Sequence, residues 1–283
     1  FRLKHFLNSN NTSGSKKNIS FHYDLGNAFY EKWLDSSMTY SSAMFKSSND
    51  NLHQAQINKY ENLAKITNIK SNEKILEIGC GWGEFSTFLA KKFKANVTAI
   101  TISKKQYEKA KERIFNESLS DKVTVEMMDY RNVEGIYDKI VSIEMFEAVG
   151  EKYWPVYFES IRKNLSNEGL VGLQTITIED KFFQKYRKFP DFIQTYIFPG
   201  GMLPSVEAMS KTMKSKGLFI KNKKMFGDDY AKTIRFWTES FENSWESIKT
   251  QGFNESFKRL WKYYLGYCEG GFKSGNINVG QFL

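Results

Sequence analysis

Residues 74–93 constrain the fold of this chain more than any other stretch. Lys74-Ile75-Leu76-Glu77-Ile78 reads as a buried strand. It runs directly into Gly79-Cys80-Gly81-Trp82-Gly83, and a helix from Glu84 to Phe93 follows. Glycines in such a turn let the backbone approach a ligand closely, and the helix N-terminus offers free N–H groups to it. Downstream, strands and helices alternate: strand 96–100, helix 103–116, strand Val123–Met127 ending at Asp129, strand 139–143, helix 153–165, and strand 170–176 after the turn Asn167-Glu168-Gly169. Strands separated by helices of this length imply a doubly wound parallel sheet with right-handed crossovers.

The flanks are less regular. Residues 1–18 are polar and rich in Ser, Asn and Lys, and read as a flexible arm or linker. A helical segment near 21–34 and a loop near 38–45 precede a helix over 52–67, with Leu52, Ala55, Ile57, Leu63 and Ile66 expected toward the core. The alternation stops near Ile178, so 179–216 reads as a substrate-side insertion within one domain spanning 19–283. Inside it, Ser205 after Pro204 is an N-cap for a helix over 205–216. Helices near 230–250 and 254–272 close the chain. Because the sequence begins at Phe1 and not Met, this reading allows for a module upstream.

Composition excludes several classes. No stretch of the 283 residues approaches the roughly 20 consecutive apolar residues of a membrane-spanning helix. Cys80 and Cys268 are the only cysteines, which points to a reducing cytoplasm. With only His5, His22 and His53 to join them, no metal site is expected. The net charge of +9 favours anionic partners. Without an Arg-rich tract, sequence-specific nucleic-acid readout is disfavoured. The 24 Phe and 15 Tyr serve a core first, and some can line an apolar pocket.

The glycine turn alone also suits a dinucleotide dehydrogenase. Glu77 just before it suits the charged amino end of S-adenosylmethionine better than a pyrophosphate, and Trp82 and Gly83 complete the turn. Asp129 ends the third strand, where an adenine edge would sit. No acid follows the second strand, so Thr101 and Gln106 would have to meet the ribose. These features point to a methyl-donor site on an α/β, Rossmann-like class I methyltransferase fold with a mostly parallel seven-stranded sheet and an added helical segment on the substrate side.

Five segments carry a resemblance: Phe21-His22-Tyr23-Asp24-Leu25-Gly26-Asn27, Met38-Thr39-Tyr40-Ser41-Ser42-Ala43, the glycine turn, Glu144-Met145-Phe146-Glu147-Ala148-Val149-Gly150, and Tyr196-Ile197-Phe198-Pro199-Gly200-Gly201-Met202-Leu203-Pro204-Ser205. In these the chain resembles the cyclopropane-fatty-acyl-phospholipid synthases and mycolic acid methyltransferases. The resemblance implies transfer of a methyl group from S-adenosylmethionine to a cis double bond of a lipid acyl chain, with bicarbonate as base. It implies cofactor contacts at Tyr40, Ser41, Gly79, Gly81, Thr101, Gln106 and Tyr130. It also implies bicarbonate-site members at Glu147, Ile176 and Tyr230.

The departures cluster at the base. Ser42 replaces the family's Cys, Gln174 its His on the fifth strand, and Ala148 the His after Glu147. A Gln amide cannot take up a proton near neutral pH. Ser42, Glu147, Gln174 and Tyr230 could still hold bicarbonate by hydrogen bonds. Otherwise the product would be a methyl-branched or methylene chain, or a methylated diene of the furan-fatty-acid precursor type. Phe182, Tyr186, Phe192, Tyr196 and Phe198 are the expected acyl channel. His22 is an even choice between covering the cofactor and lying on the surface. The expected partner is phospholipid at an anionic membrane, approached from the cytoplasmic face, and a homodimer is plausible by analogy. The rival readings are a small-amine N-methyltransferase and a non-enzymatic binding protein.

Overall fold

A computed structural model of the protein describes Asn10, Asn11, Gly14, Ser15 and residues 25–283. Seven strands form one sheet: β1 (Lys74–Ile78), β2 (Asn96–Thr101), β3 (Val123–Met127), β4 (Tyr137–Ile143), β5 (Leu165–Ile178), β6 (Lys223–Met225) and β7 (Ile277–Phe282). Their order is β3-β2-β1-β4-β5-β7-β6, and only β7 runs antiparallel to its neighbours β5 and β6. The order reverses between β1 and β4. In open α/β sheets, ligands bind at the carboxyl ends of the strands at such a switch point.

Ten helices cover the sheet among the described residues: α1 (Asn27–Tyr30), α2 (Leu52–Ile66), α3 (Glu84–Phe93), α4 (Lys104–Asn116), α5 (Trp154–Asn164), α6 (Asp180–Tyr186), α7 (Val206–Lys214), α8 (Gly227–Asn243), α9 (Trp245–Lys249) and α10 (Glu255–Lys273). Side chains alternate across β1 as strand geometry requires. Ile75 packs with α2 and α3 on one face, while Leu76 and Ile78 pack with α5 and α7 on the other. A third cluster, dominated by Phe29, Trp33, Trp237 and Trp261, joins α1, α8 and α10 over the carboxyl edge of the sheet. Ser205 caps α7 as expected, its hydroxyl accepting from the Ala208 N–H at 3.3 Å.

Several elements differ from the sequence reading. Strand β5 already begins at Leu165, paired with Tyr137 across a register shift, so the expected turn at 167–169 lies within the strand. The helix expected over 230–250 starts at Gly227 and breaks at Ser244. Strands β6 and β7 had no individual signature. One is a short, mostly exposed Lys-Lys-Met, and the other mixes Gly and Gln into its core positions. On α2, Leu52, Ile57 and Ile66 are only partly buried, whereas Gln56, Lys59 and Tyr60 face inward. That face covers polar backbone: the Gln56 side-chain amide donates to the Ser41 carbonyl at 3.0 Å.

Within the segment read as a flexible arm, Asn10 and Ser15 are buried. The Asn10 amide donates to the Gly200 carbonyl at 2.7 Å. Arg131 donates to the Asn10 carbonyl at 3.3 Å and to the Ser15 hydroxyl at 3.1 Å. His22 and the rest of 21–24 lie outside the described residues. Among those described, no helix is long and apolar enough to cross a membrane.

Candidate active site

A cavity of about 780 Å³ opens at the switch point, between the turn after β1 and the segment after β4. Gly79 and Gly81 bend the turn in left-handed conformation, with φ of 83° and 54°. The Gly79 and Cys80 N–H groups both donate to the Ile100 carbonyl at 3.0 Å, which ties the turn to β2. Tyr40, Ser41, Glu77, Gly79, Gly81, Trp82, Thr101, Gln106, Asp129 and Tyr130 all line the cavity, so the expected cofactor wall comes together. Gly83 does not belong to it. A Cβ there would meet Ala110 at 3.0 Å, so this glycine serves the packing of α3 on α4.

The polar groups of this wall are held in place. Trp82 Nε1 donates to Asn27 Oδ1 at 2.9 Å. The Thr101 hydroxyl donates to Gln106 Oε1 at 2.8 Å. The Glu77 carboxyl accepts a short bond from the Ser86 hydroxyl on α3. Asp129 accepts from Arg131 at 2.8 and 2.9 Å, so its carboxylate anchors the Arg131 clamp on Asn10 and Ser15 as well as facing the cavity.

Past the cofactor wall, the residues expected to surround bicarbonate converge on a carboxylate of the chain itself. Glu144 follows β4 with φ of 49°, a left-handed conformation costly for a residue with a Cβ. Its Oε1 accepts from the Ser42 N–H at 2.9 Å and from Gln174 Nε2 at 2.8 Å. Its Oε2 accepts from the Tyr230 hydroxyl at 2.7 Å. The donors that would hold a separate anion are thereby engaged, and the cage does not fit bicarbonate. Ser42 and Gln174 are fully buried behind the cavity, while Glu144, Glu147, Ile176 and Tyr230 line it.

The two carboxyl groups sit in different surroundings. Burial raises the pKa of Glu144, opposed by the Lys59 ammonium and by its three donors. Glu147 Oε1 accepts from the Ile176 N–H at 2.5 Å, but its buried Oε2 has no hydrogen-bond partner. Burial, and then the Glu144 charge, push its pKa up to about 8. Glu144 thus receives three hydrogen bonds and bears on the Lys59 ammonium, whereas Glu147 receives one.

A second layer fixes the first. Gln281 Nε2 donates to the Lys59 carbonyl and to Gln174 Oε1, both at 3.0 Å. The carbonyl only accepts, so it sets the Gln281 amide. That amide in turn leaves the Gln174 N–H pointing at Glu144. Gln281→Leu should lower turnover about tenfold, the size of one misdirected buried hydrogen bond. S-adenosylhomocysteine affinity, measured by calorimetry, should hold; equal loss of both would contradict this role.

Sequence reasoning missed Glu144, Lys59, Arg131 and Gln281. A readable signal existed for two of them. Glu144 directly follows a strand at the switch point, and Lys59 shares the helical face of Gln56, Tyr60 and Leu63. Arg131 and Gln281 carried none.

Phe182, Tyr186 and Phe198 line the far part of the cavity with Ile176, Met202 and Leu203. Phe192 and Tyr196 do not. Phe192 packs on Tyr263 at 4.7 Å, and Tyr196 is 53% exposed beside it.

The buried acids predict the pH dependence of stability. Burial raises Glu77 from 4.5 to about 7 and Glu147 from 4.5 to about 8. A carboxyl with a higher pKa folded than unfolded stabilises fully below pH 4.5 and loses that contribution as pH rises through the folded value. Lys59, lowered to about 7 by burial, acts in the opposite sense above that pH. The melting temperature of Glu147→Gln should therefore fall less than that of the wild type between about pH 6 and 9, Lys59 being common to both. Parallel melting curves would refute the assignment.

The strand order and the glycine turn at the switch point define an S-adenosylmethionine-dependent class I methyltransferase fold. More narrowly, the chain belongs to the mycolic acid cyclopropane synthetase family, which matches residues 10–282. It is 37% identical over 276 residues to tuberculostearic acid methyltransferase UfaA1 of Mycobacterium tuberculosis, covering 95% of this chain and 64% of that protein. It is 36% identical over 262 residues to the cyclopropane-fatty-acyl-phospholipid synthase of Escherichia coli, covering 93% and 66%. The chain thus spans about two thirds of the length of these relatives. The structure of the cyclopropane synthase CmaA1 complexed with SAH and CTAB superposes with a TM-score of 0.89 at 28% identity, covering 94% of this chain and 96% of that one.

Proposed function

We propose that the protein transfers the methyl group of S-adenosylmethionine to a double bond of an unsaturated fatty acyl chain in membrane phospholipid, with Glu144 as the base. One observation carries this reading: a single cavity runs from the glycine turn to an apolar end, and a caged carboxylate stands between them. The cofactor supplies an electrophilic methyl group and a neutral sulfide leaving group. The glycine turn, Thr101 and Gln106 hold it, and Tyr40 and Ser41 close the side toward Glu144.

An alkene is a weak nucleophile, so positioning matters most. The wall of Phe182, Tyr186, Ile176 and Phe198 orients the chain and keeps out water, which would trap the cation as an alcohol. Nearby aromatic faces of Tyr40 and Tyr264, joined by a 2.8 Å hydroxyl contact, suit a passing positive charge. The methylated chain then gives up one proton to Glu144. If the C–H electrons close onto the cation, the product is a cyclopropane. If a new double bond forms, the product is a methyl- or methylene-bearing chain. The replacement of a mobile anion by a fixed carboxylate, together with the likeness to a tuberculostearic acid methyltransferase, favours the second outcome. An apolar far wall argues against a small amine as acceptor.

The reading includes a membrane face. Phe189 and Tyr263 are 63% and 58% exposed, and Lys181, Lys185 and Lys188 are exposed in the segment that leads to Phe189. Such a surface suits anionic headgroups around the channel mouth.

The test is mass spectrometry of lipids from cells lacking modified acyl chains, grown on isotope-labelled methionine with and without the protein. A labelled carbon on an acyl chain is expected, and fragmentation distinguishes a ring from a retained double bond. Label confined to an amine, or absent although purified protein is supplied with unsaturated phospholipid, would overturn the proposal.

A further inference from the structure

Lys59 is fully buried, yet its ammonium is matched to no carboxylate by a direct bond. It donates to the Ser41 hydroxyl at 2.7 Å and lies 4.7 Å from the centre of the Tyr60 ring. The carboxyl groups of Glu144, Asp35 and Glu77 bear on it electrostatically, and Tyr60 is its phenolic neighbour. Burying a cation is unfavourable unless something repays it, and a neutral hydroxyl is a poor counterpart.

The direction of the bond matters. An ammonium has donors only, so Ser41 Oγ must accept from it, and the hydroxyl proton is left to point elsewhere. Ser41 lines the same cavity as the glycine turn. A donor backed by a buried cation selects an anion, and the carboxylate of the methionine moiety is the one anionic group of S-adenosylmethionine.

We propose that Lys59 is a positioning residue for the methyl donor: it fixes Ser41 as a donor to the cofactor's carboxylate and is the counter-cation shared by that carboxylate and Glu144. The inference rests on the cofactor reading above. It explains why α2 turns Gln56 and Lys59 inward where the apolar pattern pointed elsewhere. Gln56 holds the Ser41 carbonyl while Lys59 holds its side chain.

The experiment compares two ligands by calorimetry on the full chain. S-adenosylhomocysteine carries the amino-acid carboxylate, and 5′-methylthioadenosine lacks it. Lys59→Met should weaken S-adenosylhomocysteine by about tenfold to a hundredfold, the size of a charge-assisted hydrogen bond. Methylthioadenosine should change less than about twofold, because none of its groups meets that bond. Ser41→Ala should show the same selectivity, and it keeps the test open if Lys59→Met does not fold. Equal weakening of both ligands would reveal a merely structural lysine, and unchanged S-adenosylhomocysteine affinity would remove the role altogether. Wild-type protein that binds neither ligand would overturn the cofactor reading, and this inference with it.

Discussion

Glu144→Gln is expected to lower turnover by about a hundredfold to ten-thousandfold, the usual contribution of a positioned general base, and to leave S-adenosylhomocysteine affinity nearly unchanged. The amide keeps the size of the carboxylate but cannot accept the proton. Glu144→Gly goes further. It frees the Ser42 N–H, the Gln174 amide and the Tyr230 hydroxyl, which together donate three bonds to the carboxylate in the native site. It also relieves the left-handed backbone at this position, which offsets part of the cost of leaving three buried donors and the Lys59 ammonium without the carboxylate. Added formate or bicarbonate should then restore part of its activity, while the wild type should not respond to either. Single-turnover assays with and without the anion decide the matter. Wild-type rates in Glu144→Gln would remove Glu144 from the chemistry.

Gly79→Ala should be the most damaging single methyl group added to the nucleotide turn. Gly79 has φ of 83°, and a Cβ there would lie 2.7 Å from Met145 Cγ and 2.8 Å from Met145 Cβ. The left-handed conformation costs about 1–2 kcal/mol for a non-glycine residue. Overpacking adds about 1–3 kcal/mol. For a chain of this size the sum lowers the melting temperature by about 5–15 °C. Because Met145 is the residue after Glu144, pushing it disturbs base and cofactor together, and S-adenosylhomocysteine affinity should fall at least tenfold, or about 1.4 kcal/mol. Gly217→Ala is the control: its φ is 73°, but a Cβ there has nothing within 4 Å. It should show only the conformational cost. Equal melting temperatures for the two variants would mean that Met145 yields freely and that the contact is unimportant.

The cofactor half of the site was legible because it is local. The glycine turn, the acid before it and the residues at the ends of β2 and β3 lie next to their own strands. A parallel sheet brings successive strand ends together whatever the rest of the chain does. The base half was legible only as a departure. Ser42, Gln174 and Tyr230 stand out as expected partners of an anion, but nothing in the linear pattern says which anion they meet. The second acid of Glu144-Met145-Phe146-Glu147 drew the attention. Yet it is the first that receives the three donors, because the left-handed backbone after β4 turns its carboxylate back between β5 and α8.

The amphipathic pattern of α2 misled for a related reason. Apolar periodicity predicts a dry inner face, whereas α2 lies over the buried carbonyls of Thr39 and Ser41, which need donors. Gln56 meets that need, Lys59 donates to the Ser41 hydroxyl beside it, and the partly exposed isoleucines turn aside. Gln281 was unreadable because β7 inserts antiparallel between β5 and β6 from the far end of the chain, which brings its amide beside Gln174. The sequence by itself determined the doubly wound sheet and the glycine turn, and it picked out residues that line one cavity, since these follow from local pattern and the fixed handedness of strand-helix-strand units. Only the tertiary structure decided which carboxylate fills the cage and which buried cation stands behind it. Those choices depend on side chains from β5, α2, α8 and β7 meeting at one point, and a buried charge is settled by every donor around it at once.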